Sequence, residues 1–297
     1  MTATADDLLL AIPNVSEGAD EAILDAIGAA FTAAGGATLL DVHADADHGR
    51  TVFTLAGRPG QLAPALRDGA AAVLEHVDLR DPARAGLHPH VGALDVVPLV
   101  HLDPARRGAA CAEALHAGAL LGELGLPCVL YGPLGGGRTR ADLRRGGPAG
   151  LAARVRAGEV VPDFGPREDL HPGAGAVLLA ARPPLVAFNV ELAAPATLAD
   201  AQAIAARIRE GGPDGLPGLR AIGLELAHRD GVAQVSMNVE DHLALPLRDV
   251  VAAIAAHAPV AAAELVGLAP QAAFADFPAA VPVRNRRTVE DALARVS

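Results

Sequence analysis

Histidine, aspartate and arginine crowd into four short stretches of an otherwise apolar chain. The first is Asn14-Val15-Ser16-Glu17-Gly18, which follows a short apolar run. Ser16 or Asp20 there can cap a helix, which leaves Asn14 and Glu17 to be explained by something else. The second runs from Asp41 to Arg50, where Asp41, His43, Asp45, Asp47 and His48 alternate with small residues. The alternation resembles the start of a calcium loop, but no acidic residue closes it at the twelfth position and no helix pair flanks it. A polar turn accounts for the same residues, so no dedicated metal is expected. The third stretch is Gly86-Leu87-His88-Pro89-His90-Val91-Gly92-Ala93. Pro89 biases His88 toward extended backbone, which holds the imidazole at the rim of a sheet. With an ordinary pKa near ~6.5, histidine takes and gives a proton at neutral pH. His88 is therefore the first candidate for acid–base work, and His90 and His101 are weaker ones. The fourth stretch, Gly132 to Arg140, has Gly135-Gly136-Gly137 before Arg138 and Arg140. Such a loop is either an anion-facing cradle of backbone N–H groups or a flexible linker.

Composition removes several alternatives. All 24 basic residues are Arg, so no lysine Schiff base can form and a Walker-type phosphate loop would lack its Lys. Anionic substrates must then be held by Arg, backbone N–H groups or helix N-termini. The net charge of −11 argues against nucleic acid as a partner. Arg144-Arg145 is the densest basic pair, and it reads as a solvated turn. Ser16, Ser236 and Ser297 are the only serines and no G-x-S-x-G occurs, which disfavours serine-hydrolase chemistry. No dinucleotide fingerprint follows a strand. Cys111 and Cys128 lie in apolar stretches and read as reduced core thiols. There is no signal-peptide pattern and no apolar run of about 18 residues, so a cytoplasmic location and no membrane partner are expected.

The elements that must position these stretches follow from periodicity. Strands are expected at 8–13, 37–42, 51–56 and 93–100, with helices at 20–34 and 61–77. This is a β-α-β-β-α-β order. A long helix at 105–124 and a strand at 127–131 come next, and residues 132–173 read as loop. After a strand at 176–181 the order repeats, with strands at 185–190, 219–227, 233–239 and 260–267 and helices at 198–210 and 247–256. The fold class expected is α+β, with two tandem ferredoxin-like (βαββαβ) subdomains. The first is expected to span 1–175 and the second 176–297, with Pro183-Pro184 a candidate hinge.

Read in order, the stretches resemble the formiminotransferase family. Pro13-Asn14-Val15-Ser16-Glu17-Gly18 is similar to the family's P-N-F-S-E-G. Leu39-Leu40-Asp41-Val42, then Arg50-Thr51-Val52-Phe53-Thr54 and Gly57, are similar to L-L-D-V…N-R-T-V-Y-T-F-V-G. His88-Pro89 with Gly92-Ala93-Leu94-Asp95-Val96 resembles H-P-R-M-G-A-L-D-V. Tyr131-Gly132 resembles the end of the family's next strand, and Val161-Pro162-Asp163-Phe164-Gly165-Pro166 is close to W-V-P-D-F-G-P. In the second half the matches are Phe188-Asn189, Ala233-Gln234-Val235-Ser236 with Asn238, and Leu265-Val266-Gly267-Leu268.

The resemblance implies a transferase that moves a formimino group, or a formyl group, between N-formimino-glutamate and tetrahydrofolate. Tetrahydrofolate would be a co-substrate bound in a groove between the subdomains, and no metal would be needed. It implies His88 as the acid–base residue. The chemistry also wants a carboxylate near the reacting carbon, which Asp45 or Glu17 can supply, and Asp45 or Asp47 can stand in for the family acid that His43 replaces. Asn14, Glu17, Arg50, His90 and Arg138 are expected to contact substrates. Asp163, Gly165, Pro166, Pro172 and Gly175 would belong to the folate segment. The segment from Gly165 to Gly175 needs one extra residue here and lacks the family's Trp. His90 stands where the family has Arg, Leu87 where it has Glu, and His43 where it has an acid. The expected partners are small folate and glutamate derivatives, with a homodimer as the assembly. The chain lacks the cyclodeaminase domain fused in some relatives and is expected to be monofunctional. Two other readings stay open. One is a folate-binding relative with an altered one-carbon donor. The other is a metal-dependent hydrolase built on His43, Asp45, Asp47, His48, His88 and His90.

Overall fold

The computed structural model describes residues 7–81 and 87–296, so Gly86 of the histidine stretch and Ser297 lie outside the described residues. Two compact units, divided at Pro183/Pro184, make up the chain. In the first, Leu9–Ala11 (β1) and Asn14–Val15 (β2) share one strand position, because both pair with the same two neighbours. Pro13 breaks that strand, since it has no N–H to give the ladder, but its carbonyl still accepts from Phe53 N at 3.0 Å. Helix Glu21–Ala33 (α1) follows, capped by Asp20, whose Oδ1 accepts Ile23 N at 3.1 Å. Ser16 has a different role, donating its hydroxyl to the Gly92 carbonyl at 2.8 Å.

Next come Thr38–Asp45 (β3), Arg50–Gly57 (β4), helix Leu62–His76 (α2) and Leu94–His101 (β5). These strands lie in the order β3, β4, β1/β2, β5, which is the ferredoxin-like order expected. The sheet then extends beyond that motif. Helix Arg107–Glu123 (α3) leads to Cys128–Leu130 (β6), helices Arg140–Arg144 (α4) and Gly147–Arg156 (α5), and Val177–Arg182 (β7). Strand β7 runs parallel to β5, and β6 parallel to β7. The strand expected at 176–181 is thus the last of the first sheet, so the division falls one strand later than residue 175. Residues 132–173, read as loop, contain α4 and α5.

One face of this sheet carries α1, α2 and α3 on a core that includes Phe31, Phe53, Leu66, Leu99 and Leu121. The Phe31 and Phe53 rings are 5.3 Å apart. Gly69 lets α2 close onto α1, since a Cβ there would meet the Phe31 ring at 2.1 Å. Glu113 on α3 completes the start of α2, accepting Ala63 N at 2.7 Å and Gly60 N at 2.6 Å. A second core, with Val96, Tyr131, Leu143, Leu151 and Leu178, packs under α4 and α5. At β3 and β4, Phe53 and Leu55 fill the helix-side core. Their alternating neighbours, and the strand partners of those neighbours, point to the other face: Asp41 beside Thr54, His43 beside Val52 and Asp45 beside Arg50.

The second unit repeats the motif: Val186–Leu192 (β8), Leu198–Ile208 (α6), Leu219–Leu226 (β9), Val232–Val239 (β10), Leu247–Ala255 (α7) and Val260–Val266 (β11). The strand order is β9, β10, β8, β11, with Val283–Arg284 (β12) added in parallel beside β11. Helix Val289–Ala294 (α8) closes the described chain. Thr197 opens α6 with a capping box that Asp200 completes. No helix among the described residues is long and apolar enough to cross a membrane.

Candidate active site

The β3–β4 hairpin brings the second and third polar stretches together. Asp45 sits at the end of β3, and its Oδ1 accepts the backbone N–H of His48 at 2.9 Å. Its Oδ2 lies 3.4 Å from His48 Nδ1, so this carboxylate shapes the turn and orients a buried imidazole. Gly18 lets the first stretch close onto the same turn, because a Cβ there would meet the Asp45 carbonyl oxygen at 2.2 Å. The histidine stretch lies along the turn as a short extra ladder. Leu87 N donates to Asp47 O at 3.2 Å and His88 N to His48 O at 3.3 Å. The His48 and His88 rings meet edge-on with centroids 6.4 Å apart.

Arg50 opens β4 directly opposite Asp45, and its Nη1 lies 2.6 Å from His88 Nε2. A guanidinium has only donors, so Nε2 accepts and the ring proton belongs on Nδ1. That Nδ1 is buried without a hydrogen-bond partner. The ring is thus neutral and in a defined tautomer. Burial first, then the positive charges of Arg50 and Arg144, hold His88 well below its ordinary pKa range. Arg50 itself is lowered to about 10 by burial and then by the Arg144 guanidinium, while Asp95 and Asp45 act in the opposite direction.

Arg144 corrects the reading of Arg144-Arg145 as a solvated turn. Arg145 is exposed and pairs with Asp142 on the surface, but Arg144 is 13 % exposed and forms an ion pair with Asp95. Its Nε is buried with no partner. Asp95 on β5 is itself buried, and its second oxygen accepts Val91 N at 2.8 Å. One carboxylate therefore ties the end of the histidine stretch to α4. Arg140, one turn earlier on α4, lies over the Tyr131 ring at 5.8 Å and lowers Arg50 further. Sequence reasoning missed Arg144. The available signal was Asp95: an acid inside an apolar strand must find a cation or backbone N–H groups, and in a chain without Lys that cation is Arg or His.

The remaining expected residues fall into two groups. Close to the turn, Glu17 spends its carboxylate on Ala19 N at 2.8 Å and Asp20 N at 3.0 Å, and its carbonyl accepts the Thr51 hydroxyl at 2.7 Å. Asn14 donates to Ile12 O at 3.0 Å. Both act here as shapers of the β2–α1 corner. His90 Nδ1 is 3.3 Å from His88 O, within the same stretch. Elsewhere, Arg138 is engaged by Asp163 at 2.6 Å and donates from Nε to Gly135 O at 3.1 Å. Asp163 also accepts Leu130 N at 2.8 Å. The loop from Asp163 therefore starts at β6, with Gly165 at φ +73° against the Leu126 carbonyl and Pro166 and Pro172 exposed. It returns at Gly175, φ +68°, where a Cβ would meet the Val91 carbonyl oxygen at 2.1 Å. The end of that loop thus reaches the histidine stretch, and its beginning reaches Arg138. Among the described residues, no three His, Cys, Asp or Glu side chains converge as a metal-binding group, so the hydrolase reading finds no ligand set there.

Comparison with known proteins shows the family of the chain. The model of the formiminotransferase domain, N-terminal subdomain, matches residues 8–182, and that of the formiminotransferase domain matches residues 187–289. A formimidoyltransferase-cyclodeaminase of Gallus gallus is 34 % identical over 283 residues, covering 91 % of this chain and 51 % of the relative. The chain thus spans about half the length of that relative. A glutamate formimidoyltransferase of Streptococcus pyogenes serotype M1 is 35 % identical over 275 residues, 89 % of this chain and 90 % of the relative. One from Thermoplasma acidophilum is 30 % identical over 282 residues, with 91 % and 90 % covered. With both units matched in order and bacterial and archaeal relatives covered over nine-tenths of their length, this chain belongs to the formiminotransferase family.

Proposed function

We propose that this protein is a transferase that moves the formimino group of N-formimino-glutamate to tetrahydrofolate, with His88 as the proton carrier. The observation that carries the reading is the neutral His88 ring, whose Nε2 faces Arg50 on the sheet face opposite α1, α2 and α3. A base for this reaction must be unprotonated at neutral pH before the substrates meet. The N5 amine of tetrahydrofolate attacks the amidinium carbon, the new C–N bond forms and the π pair moves to the outer nitrogen. The N5 proton passes to His88 Nε2. His88 then returns it to the glutamate nitrogen, whose bond to the carbon breaks. The carbon–nitrogen double bond re-forms on the folate side, and glutamate leaves as the amine. One imidazole serves both steps, and no net proton is held at the end.

The loop from Asp163 to Gly175 supplies the folate contacts in this reading, since it joins Arg138 at one end to the His88 stretch at the other. Asp45 is the carboxylate that steadies positive charge on the carbon, acting beside His48, because Glu17 is committed to backbone amides. His43, Leu87 and His90 depart from the family pattern and favour a test of the donor. Steady-state turnover with N-formimino-glutamate and tetrahydrofolate should give N5-formimino-tetrahydrofolate and glutamate in equal amounts. Turnover with a formyl donor alone would assign a different one-carbon group. Hydrolysis that needs added divalent metal would replace the transferase reading altogether.

A further inference from the structure

Arg50 is a half-buried cation whose guanidinium hydrogen bond goes to a neutral ring, not to an acid. No carboxylate hydrogen-bonds it among the described residues, although Asp95 and Asp45 lie near enough to be felt. Two further guanidiniums, Arg144 and Arg140, repel it. Arg144 is held by Asp95, yet leaves a buried Nε with no partner. A guanidinium repelled by two others, one of which keeps a buried Nε without a partner, is an arrangement that an anion completes. Arg50 meanwhile occupies the Nε2 lone pair that His88 needs in order to accept a proton.

We propose that Arg50 is a substrate-operated cover on His88: a carboxylate of the glutamate donor draws the guanidinium away from Nε2 toward Arg144 and so frees the base only when the donor is bound. This rests on the transferase reading above. The carboxylate brings one negative charge to a cluster in which Arg144 and Arg140 act on Arg50 against Asp95 and Asp45. It replaces an ion–dipole contact with a charge-assisted, bidentate one. Released from Arg50, His88 keeps Arg144, His48 and the anion as its charged and titratable surroundings, and its basicity rises. Without a donor Nε2 stays occupied, and the base becomes available only when the carbon that N5 attacks is in place. Arg50 would touch substrate in this scheme, and Arg144 would position it.

The test reads the histidine directly. With 15N-labelled histidine, NMR of the free protein should show His88 as the Nδ1–H tautomer, titrating well below ~6.5. Saturating glutamate, used alone as the probe, should raise that titration point by about one unit, a tenfold change in proton affinity. In Arg50→Gln the free protein should already show the higher value, and glutamate should no longer move it. Arg144→Gln should retain the covered state and require several-fold more glutamate to leave it. A wild-type His88 signal that glutamate leaves unchanged overturns the proposal, and it does so even where Arg50→Gln fails to fold. The transfer assay on the same preparation separates the two readings. Transfer without a glutamate response removes the cover, whereas a glutamate response without transfer removes the assigned reaction.

Discussion

A general base must be unprotonated before its reaction begins, and His88 is held in that state by burial and by Arg50 and Arg144. The sign of the pH dependence follows. The folded pKa of His88 lies below the unfolded value, so the neutral form is favoured by folding. Its contribution to stability is full above ~6.5 and is lost as pH falls through the folded pKa. The same shift should keep kcat/KM flat downward through pH 6.5, with its acid limb at lower pH than an ordinary imidazole gives. A limb centred at ~6.5 or above would show that another group carries the proton. On the proposed mechanism His88→Ala should lower kcat by about 10²–10⁴-fold with folate affinity nearly unchanged, since acid–base catalysis would be lost and a binding contact would not. His90→Ala, in the same stretch and in contact with the His88 carbonyl, is the comparison. Melting temperature, folate affinity and kcat measured on both variants decide the matter. If His90→Ala loses the more kcat, the proton role belongs to His90.

Elements place these residues through a few close backbone contacts, and Gly175 is the sharpest. It stands at φ +68° with the Val91 carbonyl where a Cβ would be, and it exchanges hydrogen bonds with His171 at 2.8 and 3.0 Å. Gly175→Ala should therefore cost more than the ~1–3 kcal/mol of a strained left-handed residue, because a β-carbon must also push β5's leading segment away. Gly147→Ala, at φ +63° with nothing within 4 Å, bears the conformational cost alone. Urea unfolding of the two variants should show Gly175→Ala the less stable, with a drop in kcat that Gly147→Ala does not share. Equal losses would remove the close contact as the cause. The long periodic runs were legible in the sequence: every strand and helix of both β-α-β-β-α-β units lies within a few residues of its expected place. Helices α4 and α5 were not, because α4 has five residues and α5 begins Gly147-Pro148 with Gly150 closing its first turn. Too few apolar positions recur there for periodicity to show. The histidine and Asp41–Arg50 stretches could be read as site candidates, but their union required the hairpin register. Arg144 depended on α4 and so was hidden with it.

At the scale of the whole chain, duplication accounts for the architecture better than any local signal does. Both units run their second, third, first and fourth strands side by side in that order, yet the polar stretches that build the candidate site all lie in the first. The second unit keeps its own complete core, with Phe188, Val190, Ile204, Val235, Val250 and Leu265 enclosed between its sheet and α6 and α7. Phe188, Phe274 and Phe277 close it with edge-on ring contacts of 5.7–6.5 Å. Its sheet has five strands, and α6 is capped by its own residues. A sheet of three or more strands with helices on an apolar face is enough for independent stability, and domains of this size fold as units. Residues 184–297 expressed alone should therefore give a single cooperative thermal transition with helix and strand content by circular dichroism, and no formimino transfer. A transition that is broad and non-cooperative would mean that the second core depends on the first unit for its order, and that the duplicated motif is a repeat in topology but not in folding.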